Sequence, residues 1–324
     1  MNAPMFGASI RLTLRHHRFE VLAAVIAAAV LGVLAIVVKS RLDGVGVPAG
    51  CFEAWLTSGP DASKCSTSVQ EFARINEDEA GKLFAAMAVL PLAGGVVAGV
   101  SLVAKELESR TAQTAWSLAP SRAEWLALQL LPVVVVVGAA MSFAAVAAGA
   151  LEATRLAWLP ATFNDLTMHG APIVARAVGA IAIGLFVGSL MGRQLPALIV
   201  ASVVLLVVTT QASAIEAQWL RSQQEVVAGG GEFPAATVDG TMFEPAWQGP
   251  YGEIARVGEP IDGIPAPNPG AGATTPSASW RAVTIGVPAS RAPGMAALDV
   301  ALFLLVGLVA SAGSFVIVDR RRPV

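Results

Sequence analysis

The chain has 324 residues, 55% of them hydrophobic and only 14% charged, with a mean hydropathy of +0.66. Ordinary soluble domains carry roughly 25% charged residues, so a water-soluble fold has no place for this much apolar surface, whereas a bilayer does. A formal net charge of -2 offers nothing to a polyanion, and nucleic acid is not expected as a partner.

In chain order, residues 1–20 are basic. Arg11, Arg15 and Arg18 alternate with Ile10, Leu12, Leu14 and Phe19, which predicts a cytoplasmic amphipathic connecting helix lying on lipid. An ordinary basic flank of the first span is an equally open reading. A membrane helix needs about 20 mostly apolar residues. Six stretches qualify: 21–38, 83–104, 125–151, 172–191, 195–215 and 300–318. The first is not a signal peptide, because Lys39-Ser40-Arg41 follows it with no small-residue cleavage site. The expected fold is therefore an all-α membrane protein of six transmembrane helices. Residues 1–20 precede the first five spans (21–215), which enclose a loop at 105–124. An extracytoplasmic loop or cap (216–299), the sixth span (300–318) and a tail (319–324) follow.

Lysines and arginines set the orientation. The N-terminal segment, the loop with Lys105, Arg110 and Arg122, the turn with Arg193 and the tail Arg320-Arg321-Arg322 fall on one side if there are six spans. That side is expected to be the cytoplasm of a bacterial cell with the chain in its inner membrane, both termini inside. Lys39 and Arg41 lie on the other side, where snorkelling to headgroups is one way to accommodate them. Cys51 and Cys65 share the first outer loop and are expected to form a disulfide, since such bonds persist outside the cytosol. Without nearby histidines they make no zinc site, and His16, His17 and His169 are read as surface or interfacial residues.

Within the spans, Gly95 and Gly99 form one GxxxG and Gly184 and Gly188 another. The spacing puts both glycines on one helix face and lets backbones approach, though a Gly- and Ala-rich chain also produces it by chance. Pro91 and Pro132 each free a backbone carbonyl and are expected to bend their helices. Residues 216–299 are rich in Gly and Pro, with little capacity for helix. Trp219, Phe233, Phe243, Trp247, Tyr251 and Trp280 favour a partly packed cap over a disordered loop.

The stretch between the second and third spans is the informative one. It reads Val103-Ala104-Lys105-Glu106-Leu107-Glu108-Ser109-Arg110-Thr111, then Ala115-Trp116, Ser121-Arg122 and Trp125-Leu126. Ser121 is a candidate N-cap, with Glu124 at N3 completing a capping box. The segment resembles the signature of type-2 ABC exporter permeases in the form seen in actinobacterial members, through Glu106, Glu108, Thr111, Ala115-Trp116, Ser121-Arg122 and Trp125-Leu126. Two positions depart from it: Arg110 stands where the family has glycine, and Gln129 where it has lysine. No apolar hairpin is visible in 216–299, which the family usually has.

The resemblance implies a permease subunit that moves a hydrophobic or amphipathic substrate (drug, lipid or peptide) outward, coupled to a separate ABC ATPase and paired with a second copy or a related permease. Glu106, Glu108 and Arg110 would then be charged handles for the ATPase, Trp116 and Leu118 apolar anchors, and Thr111 and Arg122 part of the same contact. The chain itself is not expected to be an enzyme or to hold a cofactor. A P-loop needs G-x-x-x-x-G-K-[ST], and the Gly81-Lys82 pair is followed by Leu83. ATP and magnesium would belong to the partner. Two other classes stay open: a membrane sensor or scaffold, and an ion-coupled transporter. The second would need a buried acid or histidine, and the charged residues Glu20, Arg176 and Asp299 sit at span ends.

Overall fold

The computed structural model describes residues 17–48, 50–52, 62–109, 111, 116, 121–156, 163, 165–229, 240–256 and 280–320. Six helices are long and apolar enough to cross a membrane. The helices are α1 (Arg18–Val45), α2 (Ala62–Arg74), α3 (Gly81–Glu108), α4 (Arg122–Leu156), α5 (Ala171–Met191), α6 (Gln194–Ser222) and α7 (Ala292–Arg320). A six-residue π-helical segment, Ile75–Ala80, joins α2 to α3 in one rod of 46 residues, Ser63–Glu108. Helices outrun the apolar stretches: α6 continues past Ile215 to Ser222, and α7 begins at Ala292 rather than Val300. A helix satisfies its own backbone wherever it lies, so nothing stops it at the edge of the hydrocarbon. Of the expected N-terminal amphipathic helix, only residues 17–20 are described, and Arg18–Glu20 are the first turn of α1. Arg110 and Leu118 lie outside the described residues.

The helices alternate in direction, giving the bundle a loop end, which carries 105–122, and a sheet end. At its centre is α5, with 14 of 21 residues buried. It crosses α3 where the two GxxxG faces meet. A methyl group on Gly95 would come within 2.7 Å of Ala177 O, one on Gly184 within 2.7 Å of Val96 O, and one on Gly188 within 3.1 Å of Val100 O. At Gly99 it would run into Ile181 O. Glycine is required there because the partner backbone occupies the space a side chain would need. Gly179 makes the same close approach to Phe303 of α7, and Phe143 of α4 fills the notch left by Gly32 of α1. By contrast α6 buries six residues, Ala197, Ala201, Leu205, Ala212, Glu216 and Leu220, a strip mostly four apart. Its remaining faces carry exposed Leu195, Ile199, Val203 and Leu206, which suits a helix bordering lipid or another subunit.

At the sheet end, the π-segment holds the polar run Ile-Asn-Glu-Asp-Glu-Ala. On α2, Cys65, Val69 and Phe72 are buried at helical spacing, with Phe72 edge-on to Phe52 at 5.1 Å. Cys51 and Cys65 are bonded, which ties α2 to the chain leaving α1. In the chain-entropy model a closed loop of about 15 residues stabilises by about 3 kcal/mol. Lys39 pairs with Asp43 and Arg41 with Glu79 at 2.9 Å, so a protein carboxylate meets each of the two cations.

Residues 216–299, read from sequence as a loop or cap, contain four antiparallel strands: β1 Glu225–Gly229, β2 Gly240–Gln248, β3 Ile254–Arg256 and β4 Arg281–Pro288, in the order β1-β4-β2-β3. The central β4 alternates Val283, Ile285 and Val287 on one face with Thr284 and Gly286 on the other, and Phe243 packs over Gly286. Pro245 is tolerated in β2 because β3 pairs only from Ala246 onward. Val287, Leu220, Ala292 and Met295 form a small core with Phe163 and Leu166 that seats the sheet on α6 and α7. Tyr251, expected to help pack this region, is 95% exposed on the β2–β3 turn.

Candidate functional site

The last turn of α3 is bound to α1, α4 and α6, and the first residue of α4 to α7, each time through a group whose charge or dipole suits the contact. Lys105 Nζ donates to Glu20 Oε1 of α1 at 3.2 Å. One residue on, Glu106 is buried (7% exposed) and its Oε1 accepts from Gln129 Nε2 of α4 at 2.7 Å. Glu108 reaches the next turn of the bundle: its Oε2 accepts from the backbone N–H of Gln194 at 2.9 Å, the first residue of α6. A carboxylate at a helix N-terminus meets both an orphan donor and the positive end of the dipole. At the other end of the loop, Arg122 Nη1 donates to Asp319 O at 3.0 Å, in the last turn of α7, where a cation is favoured for the converse reason.

Aromatic packing links Trp116 to the first turn of α4. Trp116 stands edge-on to Trp125 with ring centroids 5.9 Å apart, and the Arg122 guanidinium lies 4.8 Å over the Trp116 ring. Ser121 caps α4, its Oγ accepting from Glu124 N at 3.1 Å. Thr111 is exposed and its hydroxyl lies 2.8 Å from that of Ser109. Of the residues singled out from sequence, Glu108 and Thr111 are therefore exposed, Trp116 and Arg122 are half-buried, and Glu106 is enclosed. Enclosed in this way, Glu106 joins α3 to α4. Gln129 supplies the donor where a lysine stands in the resembling family.

Residues 21–216 match the model of the family described as ABC-2 membrane transporter related. This chain belongs to that family. It is an ABC transporter permease, and the match runs from α1 through the loop to Glu216 of α6. The sheet and α7 lie beyond the matched residues. No curated protein and no solved structure matches the permease.

Sequence reasoning missed two polar clusters at the sheet end of the permease. Arg155, on the last turn of α4, donates to Glu152 Oε2 at 2.8 Å, to Asp165, and to Asn76 Oδ1 of the π-segment, and stacks 4.8 Å over Phe84. It thereby locks α4, the π-segment and the turn before α5 together. Beside it His169 is half-buried, and burial pushes its pKa below the usual histidine value, with Arg155 reinforcing and Asp165 opposing. The second cluster joins Arg176 to Asp299, 123 residues apart in sequence. The polar residues were visible at span ends, but no spacing signal links partners on separate helices. His17, read as a surface or interfacial residue, is 1% exposed, because α1 begins against the bundle rather than beyond it.

Proposed function

We propose that this permease is one half of an ATP-driven exporter in a bacterial inner membrane. A separate ABC ATPase grips residues 105–122 from the cytoplasm, and a second copy of the chain completes the transport path. The observation that carries the reading is the set of four attachments made by the helix ends on either side of the loop, to α1, α4, α6 and α7. A displacement of the loop is handed to all four helices at once, and α5 is packed between α3 and α7, so no span is left uncoupled. Orientation is supported by the lysines and arginines of the short segments: 1–20, 105–122, 192–194 and 319–324 carry ten, whereas 39–82 and 152–171 carry six. The more basic set marks the loop end as the cytoplasmic one. The exposed apolar faces of α1 and α6 suit a hydrophobic or amphipathic cargo and a partner subunit.

The roles divide. Trp116 sits where an ATPase would press, and truncating an aromatic anchor typically costs an interface about 2 kcal/mol or more. Trp116→Ala is expected to lower recovery of the ATPase in a pull-down from membranes. Glu108→Gln is expected to keep the ATPase bound and hydrolysing while transport falls, because the link from the loop to α6 is weakened. Wild-type ATPase recovery and transport in Trp116→Ala would remove the coupling assignment and reopen the sensor reading.

A further inference from the structure

At the sheet end, α5, α6 and α7 enclose three ionisable side chains that ATPase coupling does not use. Asp299 of α7 is 0% exposed and Glu216 of α6 6% exposed, while the Arg176 side chain of α5 is 14% exposed. Arg176 holds Asp299 by a fork, Nη2 to Oδ1 at 2.9 Å and Nε to Oδ2 at 3.1 Å, with its guanidinium 5.3 Å over the Phe303 ring. Glu216, the buried acid of α6, lies against the same Asp299 carboxyl, and Asp299 and Arg176 are the charged groups that act on it among the described residues.

Two carboxylates cannot hydrogen-bond to one another, because an ionised carboxyl has no donor. A hydrogen bond between the two therefore needs one of them to keep its proton. Charge balance requires it too: two anions around one guanidinium leave a net negative charge in a closed site, which is costly, and one proton cancels it. Glu216 Oε1 is buried with no hydrogen-bond partner among the described residues. An undonated oxygen is far cheaper to bury on a neutral acid than on a carboxylate.

We propose that Glu216 and Asp299 form a binding site for one exchangeable proton, held beside Arg176, that fastens α6 to the α5–α7 pair at the sheet end. The neutral Glu216 carboxyl donates to Asp299, and Asp299 remains ion-paired to Arg176. Loss of the proton sets two anions side by side. Asp299 is kept by its fork, so Glu216 withdraws and takes α6 with it. The narrow buried strip of α6 makes it the helix with least to hold it back. The site stands independently of the ATPase reading, because it lies at the opposite end of the helices and its test uses the permease alone.

The test uses the full chain in lipid nanodiscs, with spin labels at Gln218 on α6 and Ala297 on α7, both exposed. The native cysteines are bonded and do not take the label. Infrared spectra should show a protonated carboxyl band that shifts in heavy water and disappears in Glu216→Gln. The label-to-label distance should lengthen as pH rises in the wild type. It should stay short at every pH in Glu216→Gln, whose amide donates to Asp299 with no proton to lose. A wild type without the carboxyl band, a wild-type distance indifferent to pH, or the same pH response in Glu216→Gln would each overturn the proposal.

Discussion

Gln129 shows how much a single residue decides. Its amide supplies a donor to the buried Oε1 of Glu106, and taking a donor from a buried acceptor costs about 1–3 kcal/mol. Gln129→Leu should therefore lower the thermal unfolding midpoint of the detergent-solubilised permease. Gln129→Lys should restore it, because an ammonium meets the same carboxylate with a stronger, charge-assisted bond. Equal midpoints for the two variants would show that the pair does not stabilise the joint between α3 and α4. His169 acts through pH. Its pKa in the folded chain lies below the unfolded value of 6.5, so the unfolded chain takes up the proton first as pH falls. Stability is thus intact above pH 6.5 and is lost as pH drops below it toward the folded pKa. Replacing His169 with glutamine should flatten this part of the midpoint-against-pH curve while leaving the neutral-pH end nearly unchanged.

Among elements, the crossing of α3 and α5 depends on absent side chains. A methyl group at Gly99 would collide with the backbone carbonyl of Ile181, whereas at Gly138 in α4 nothing lies within 4 Å. Gly99→Ala should force the two helices apart and destabilise by about 1–3 kcal/mol. Gly138→Ala should cost nothing, since alanine is the better helix former. Thermal unfolding of the two single variants side by side distinguishes a specific crossing from a general aversion to larger residues, and a matched loss in both would refute the specific contact. The rod from α2 to α3 makes a related point. Its polar π-helical segment gives Asn76 to Arg155 and Glu79 to Arg41, so the irregular turn is where the rod is tied to its neighbours.

For the whole molecule, alternating helix directions put the sheet and the 105–122 loop at opposite ends, and the loop end is proposed to face the cytoplasm. A single added cysteine at Tyr251, on the exposed β2–β3 turn, should react with an impermeant maleimide in intact cells. One at Arg320 should react only after the membrane is opened, in a background with Cys51 and Cys65 replaced by serine. The reverse pattern would invert the orientation and exclude a cytoplasmic ATPase from the 105–122 loop.

The sequence by itself determined the number and order of the membrane helices, the candidate cysteine pair and the cap of α4 by Ser121. Each of these follows from composition over a short window: an apolar run of span length, two cysteines in one loop, a serine three residues before a glutamate. The tertiary structure decided what joins distant windows. GxxxG spacing offered two sticky faces but not the fact that they meet, and Glu106 looked like a surface charge until the fold placed Gln129 against it. Arg176 and Asp299 appeared as unrelated residues at two span ends, and the Gly- and Pro-rich stretch before α7 gave no sign of its sheet. Pairing between strands and between buried charges is set by which segments lie side by side, and no local run of residues encodes that.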